Sequence, residues 1–143
     1  MSDVDDFLAA VLPRQQAAEA ALLNGDAGPR RAFWSDSEPV TIWGAGRDAR
    51  NSAEIEETFD LLETIFTSGE EELEVVAAAA SADLGYIVGY EHVTASVGGE
   101  PPASIELRVT LIFRREQGEW RAVHRHADPR FEGQAAVERV RSL

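Results

Sequence analysis

The chain has 143 residues, 44% of them hydrophobic and 27% charged, a composition that suits one globular domain with a core of its own. Its net charge of −13 argues against nucleic acid and anionic membranes as partners, because both are bound chiefly through Lys and Arg. Cys and Lys are both absent, which excludes disulfides, thiolate zinc sites, cysteine nucleophiles and lysine Schiff bases. No stretch approaches the roughly 20 apolar residues of a membrane-spanning helix. The opening MSDVDDFLAA is acidic where a secretory signal would be basic, so a cytoplasmic protein is expected. Charge is also uneven: residues 51–107 hold no Arg, whereas eight of the thirteen Arg lie in 108–143.

From Asp3 to Asn24, Phe7, Val11, Ala18 and Leu22 recur at threes and fours, the spacing of an amphipathic helix. Pro13 interrupts it at a cost of about 3 kcal/mol, so the segment reads as one kinked helix or two short ones. Asn24-Gly25 closes it, and Asp26 with Pro29 opens a second short helix that ends near Phe33 and Trp34. Val40 to Trp43 reads as a short strand stopped by Gly44-Ala45-Gly46. That GxG lacks the third glycine and the long preceding strand of a phosphate loop. Asn51 and Glu54 form a capping box for a helix to about Thr67, with Ile55, Phe59, Leu62 and Phe66 on one stripe.

Ser68-Gly69 is expected to stop that helix and Glu70-Glu71-Glu72 to form a solvated turn, the alternative being a weak site for a divalent cation. Leu73 to Ala82 then reads as a strand. Leu84 to Val97 alternates Tyr86, Val88, Tyr90, His92 and Thr94 on one face with Ile87, Gly89, Glu91, Val93 and Ala95 on the other. A hairpin loop follows at 98–102. The stretch LRVTLIFRREQGEWRAVHRHADP, 107–129, is a second hairpin turning at Gln117-Gly118. Pairing Arg115 with Trp120 sets Phe113 opposite Ala122, Leu111 opposite His124 and Val109 opposite His126, with both histidines on the apolar face. Residues 134–141 read as a short C-terminal helix or a frayed end. Helices first and an antiparallel meander afterwards give an α+β fold, in which helices cover one face of a curved sheet and enclose a conical cavity.

The element order, WGAG after the first strand, YIVGYE in the long strand and RVTLIFRREQGEWRAVHRHADP in the last hairpin resemble the SnoaL-like branch of the nuclear-transport-factor-2-like superfamily. The resemblance spans about Asp6 to Pro129, leaving 130–143 as a tail of a single domain, 1–143. It implies a cone-shaped α+β fold and a homodimer formed through the exposed sheet face. It also implies either cofactor-independent proton transfer of the isomerase, cyclase or dehydratase type, or a non-catalytic ligand-binding or accessory role.

Three residues are the candidates for catalysis: Glu91, His124 and His126. The histidines sit two apart on a strand and so point the same way, and a His titrates near neutrality. Each could equally be a core histidine bonded to a carboxylate. A metal site built on His124, His126 and Asp128 would spread its ligands over roughly 13 Å, too far for one ion, so no metal or cofactor is expected. Glu91, mid-strand, has two readings. Facing the cone, it would pair with a histidine or act as acid/base; facing out, it would pair with Arg108 or Arg125. Trp34, Trp43, Phe59, Tyr90 and Trp120 are the candidates to bind a hydrophobic or aromatic ligand, against the reading that such aromatics fill the core.

Overall fold

The computed structural model describes residues 2–44 and 46–130; the C-terminal helix expected at 134–141 lies outside them. The elements are α1 (Asp3–Leu23), α2 (Gly28–Phe33), β1 (Thr41–Gly44), β2 (Arg47–Ala49), α3 (Ser52–Ile65), β3 (Phe66–Ala80), β4 (Leu84–Val97), β5 (Ala103–Glu116) and β6 (Glu119–Pro129). The strands form one six-stranded sheet in the order β2-β1-β6-β5-β4-β3. Every pairing is antiparallel except β1 with β6, and the helices pack on the sheet's inner face.

Local chemistry explains most boundaries. The Ser2 side chain accepts from the Asp5 N–H to start α1, and Asn51 accepts from the Glu54 N–H to start α3, as the capping box requires. Pro13 does not split α1. Phe7 and Val11 before it and Gln15, Ala18 and Leu22 after it form one continuous buried stripe, and burial on both sides offsets the proline's cost. At the β5–β6 turn Gln117 and Gly118 both have positive φ, 52° and 80°, the backbone of a two-residue hairpin turn.

β3 departs from expectation. It begins at Phe66, directly after α3, so Ser68-Gly69 and Glu70-Glu71-Glu72 are strand rather than turn. Gly69 is there because a Cβ would sit 2.9 Å from Ala95 Cβ and 3.0 Å from Leu23 Cβ, where α1 crosses the strand. Residues 75 to 77 carry a bulge opposite Gly89. A Cβ on Gly89 would meet the Glu74 carbonyl oxygen at 2.1 Å, so only glycine fits beneath it.

The core lies between the helices and the concave face. Phe7 meets Phe113 and Trp120 edge-on, at ring-centroid distances of 5.5 and 4.9 Å, and Trp34 meets Phe59 at 5.9 Å. Ile87, Leu111 and Ala122 complete the floor.

Candidate functional site

The last hairpin decides what enters the cone. Arg115 pairs with Trp120 and Phe113 with Ala122, as the alternation predicts, but Ile112 then pairs with His124 and Leu111 with Arg125. β6 thus carries one extra residue, Val123, at a bulge. A single inserted residue reverses every later side chain. The expected facing of the histidines is therefore corrected: His124 and His126 look out of the sheet, and Arg125 and Ala127 look in.

Outside, His124 Nδ1 lies 2.7 Å from Thr41 Oγ1, and the Trp43 ring stands edge-on to both histidines. Partial burial and the neighbouring His126 hold the His124 imidazole below its usual pKa, against the opposing hydrogen bond to the Thr41 backbone. Asp128 is taken by Arg108 in a two-bond ion pair. Neither histidine can reach Glu91, because the sheet stands between them.

Glu91 does face the cone, and it is 1% exposed. Its partner is neither histidine but Arg125, whose two terminal nitrogens reach the two carboxylate oxygens at 2.7 and 2.6 Å. Arg125 was expected as a partner only if Glu91 pointed outward; the bulge brings both inside. Burial opposes the guanidinium's charge, yet Glu91 outweighs it and holds Arg125 above its ordinary pKa.

A second buried pair lies beside the first. Arg30 of α2 donates to Glu19 Oε1 of α1 at 3.0 and 2.6 Å, and Gln15 donates to the same oxygen at 3.3 Å. Burial pushes the Glu19 carboxyl up, but the attraction of Arg30 and then Arg125 prevails and leaves it below the usual carboxylate range. Glu71 of β3 is the third carboxyl. One ligand atom from each of Glu19, Glu71 and Glu91 lies within 4.8 Å of the others. Among the described residues Glu71 has no guanidinium of its own, and its buried Oε2 has no hydrogen-bond partner. Burial, then repulsion from Glu91 and Glu19, pushes its carboxyl up to about 9. It is a protonated acid at neutral pH.

Glu71 also borders an open groove of about 810 Å³ over β3, β4 and β5, whose walls combine Glu72, His92, Ser104 and Glu106 of the outer face with Gln16 and the apolar Val93 and Ile105. His92 is held there by Glu74 at 3.1 Å and by Glu106 at 3.5 Å. The three inner carboxyls make a poor metal site. Both oxygens of Glu91 and one of Glu19 are engaged by guanidinium groups, whose positive charge opposes a cation.

None of the five aromatic candidates lines this groove. Trp34 and Phe59 are buried in the core, and Trp120, also buried, lines a separate cavity of about 340 Å³ with Phe7 and Arg14. Trp43 and Tyr90 are on the outer face, Trp43 49% exposed and Tyr90 beneath the Arg130 guanidinium. The sequence reading missed Glu19, Arg30 and the inward Glu71, and it named Arg125 only as an outward partner of Glu91. Gln15 and Glu19 fall on the apolar stripe of α1, and Glu71 shares the parity of Leu73. Those polar residues in apolar rows were the available signal.

A SnoaL-like domain model matches residues 15–129, four-fifths of the chain and every element that supplies the cluster. The chain belongs to the SnoaL-like domain family. Among solved structures, this SnoaL-like chain is similar to a proposed dehydratase of the nuclear-transport-factor-2-like family from Streptomyces avermitilis, with 19% identity, 90% of this chain and 99% of that one covered, and a TM-score of 0.77. A ketosteroid isomerase-like protein from Erwinia carotovora atroseptica matches at 19% identity, 90% and 99% coverage and a TM-score of 0.71. A proposed calcium/calmodulin-dependent protein kinase II association domain from Xanthomonas campestris matches at 14% identity, 89% and 88% coverage and a TM-score of 0.71. At these identities the likeness shows the nuclear-transport-factor-2-like fold and no activity. No curated protein matches the chain.

Proposed function

We propose that this SnoaL-like domain binds a small oxygen-bearing molecule in the groove that borders Glu71 on β3–β5 and exchanges a proton with it through Glu71, without a cofactor. One observation carries the reading: Glu71, a residue of the groove lining, has its carboxyl pushed up to about 9 and its Oε2 buried without a hydrogen-bond partner among the described residues. A neutral acid in such a place donates a hydrogen bond, and then its proton, to a carbonyl or a departing hydroxyl. The carboxylate left behind recovers a proton from the substrate carbon or from water at the groove mouth. Glu91, expected as the acid/base, is committed to Arg125, and His124 and His126 lie across the sheet. Val93 and Ile105 would hold the apolar part of the ligand, as the expected hydrophobic ligand requires. Structural neighbours named as a dehydratase and as ketosteroid isomerase-like support the same class of chemistry.

The test uses small cyclic ketones. Those that raise the thermal midpoint of the wild-type protein are incubated in D₂O, and exchange of the proton next to the carbonyl is followed by NMR. Wild type is expected to accelerate exchange and Glu71→Gln to slow it at least tenfold. Ketones that exchange equally fast with both proteins would overturn the role of Glu71, and a set that neither binds nor exchanges would overturn the site.

The non-catalytic reading rests on the outer face. Val76, Leu84, Tyr86 and Val88 are 36% to 59% exposed on adjoining strands, an apolar patch on the outer face. We propose that a second copy of the chain covers it, and the likeness to an association domain is consistent with that. Light scattering should return about 31 kDa, twice the chain mass of 15.6 kDa; a value at the chain mass would refute the homodimer. Among the described residues no helix is long and apolar enough to cross a membrane, and a cytoplasmic location remains part of the proposal.

A further inference from the structure

Among the described residues the interior cluster holds three carboxyls and two guanidinium groups. Glu19 is clamped by Arg30, Glu91 by Arg125, and one ligand atom from each carboxyl lies within 4.8 Å of the others. Two positive charges in a buried site balance two negative ones. A third carboxylate would be an excess charge in a medium that solvates it poorly, so the cluster retains one proton. Where that proton sits follows from geometry. Glu19 Oε1 and both oxygens of Glu91 accept charge-assisted hydrogen bonds, which favour the ionised form, whereas Glu71 has none. The other groups around Glu71 do not change the count. Gln15 and Gln16 of α1 are neutral, Glu70 and Glu72 flank it toward the opposite face of β3, and His92 and Glu106 at the groove are already paired with each other.

We propose that Glu19 and Glu91 are positioning residues: held as anions by Arg30 and Arg125, they keep the cluster's single proton on Glu71. The two buried ion pairs are then parts of the proton-transfer site and not merely struts between α1, α2, β4 and β6. Their consequence for catalysis rests on the reading of Glu71 as the proton donor, but the proton itself can be measured with no ligand present.

The measurement is infrared difference spectroscopy of the carboxyl carbonyl stretch as pH rises from neutral to alkaline. Wild type should show one protonated-carboxyl band at neutral pH that vanishes around pH 9, and Glu71→Gln should lack it. Glu91→Gln, and separately Glu19→Gln, leave two guanidinium groups facing two carboxyls, so the band should be lost at neutral pH and appear only on the acid side. The double variant Glu91→Gln/Arg125→Gln removes one charge of each sign and should bring the band back. A purely structural role predicts no such loss and recovery. Retention of the band with its wild-type midpoint in both single variants would overturn the proposal. So would its loss from wild type on adding excess Mn²⁺ at neutral pH, which would assign the three carboxyls to a cation. If one single variant fails to fold, the other and the double variant decide. Failure of ketone exchange would leave these spectra unchanged, so the two proposals fail separately.

Discussion

Replacing Glu71 by Gln should stabilise the protein, and by an amount that depends on pH. Gln mimics the protonated carboxyl in size and polarity but cannot ionise. In the folded chain the Glu71 carboxyl releases its proton around pH 9, against an ordinary value of 4.5. Between these values the folded chain binds a proton that the unfolded chain has already lost. Stability therefore falls as pH rises through this window, by about 1.4 kcal/mol per pH unit for this one group. From pH 4.5 to pH 7 the accumulated cost is about 3 kcal/mol, and by pH 9 about 6 kcal/mol. The variant escapes it. Urea unfolding of both proteins at a series of pH values gives the difference, because titrating groups away from the cluster cancel. The two should be nearly equal near pH 4.5, with the variant ahead by about 3 kcal/mol at pH 7. A difference that stays constant with pH, or a variant that loses ground as pH rises, would refute a buried neutral Glu71.

Further outcomes follow from the same structure. Arg125→Met leaves Glu91 buried without its partner and should cost about 3–5 kcal/mol in urea unfolding, while Glu91→Leu/Arg125→Met should recover most of it. A cost under about 1 kcal/mol for the single variant would mean that solvent reaches the pair. Gly89→Ala drives a Cβ into the Glu74 carbonyl oxygen and should destabilise by roughly 1–3 kcal/mol, read as a lower thermal midpoint. His124, held below its usual pKa mainly by burial, should titrate below free histidine in NMR pH titrations. The unfolded chain protonates there first, so this group's contribution to stability is lost as pH falls below 6.5; a His124 midpoint above 6.5 would contradict its placement. Asn51→Ala removes the cap of α3 and should cost about 1 kcal/mol.

Much of the architecture was legible in the residues. The stripes of α1 and α3, the period-two alternation of β4 and the Gln117-Gly118 turn are local signals, and local signals survive folding when burial agrees with them. The inward facing of Glu91 was legible too, since it shares parity with Ile87 and Val93. The Glu70-Glu71-Glu72 run misled because three adjacent carboxylates read as solvated, whereas pairing with β4 overrides weak propensity and turns the middle one inward.

The sequence by itself determined the class of fold, the order of its helices and long strands and the family, but not the short β2, because periodicity, capping residues and turn chemistry act over a few neighbouring residues. Tertiary structure alone decided the site. Val123 looks like any other strand residue, yet its bulge exchanges His124 and His126 for Arg125 inside the cone. Glu19, Arg30, Glu71, Glu91 and Arg125 come from five different elements, and no spacing along the chain records that they meet. The charge of each depends on the others once water is excluded. A proton can be assigned to Glu71 only after all five side chains have been brought together.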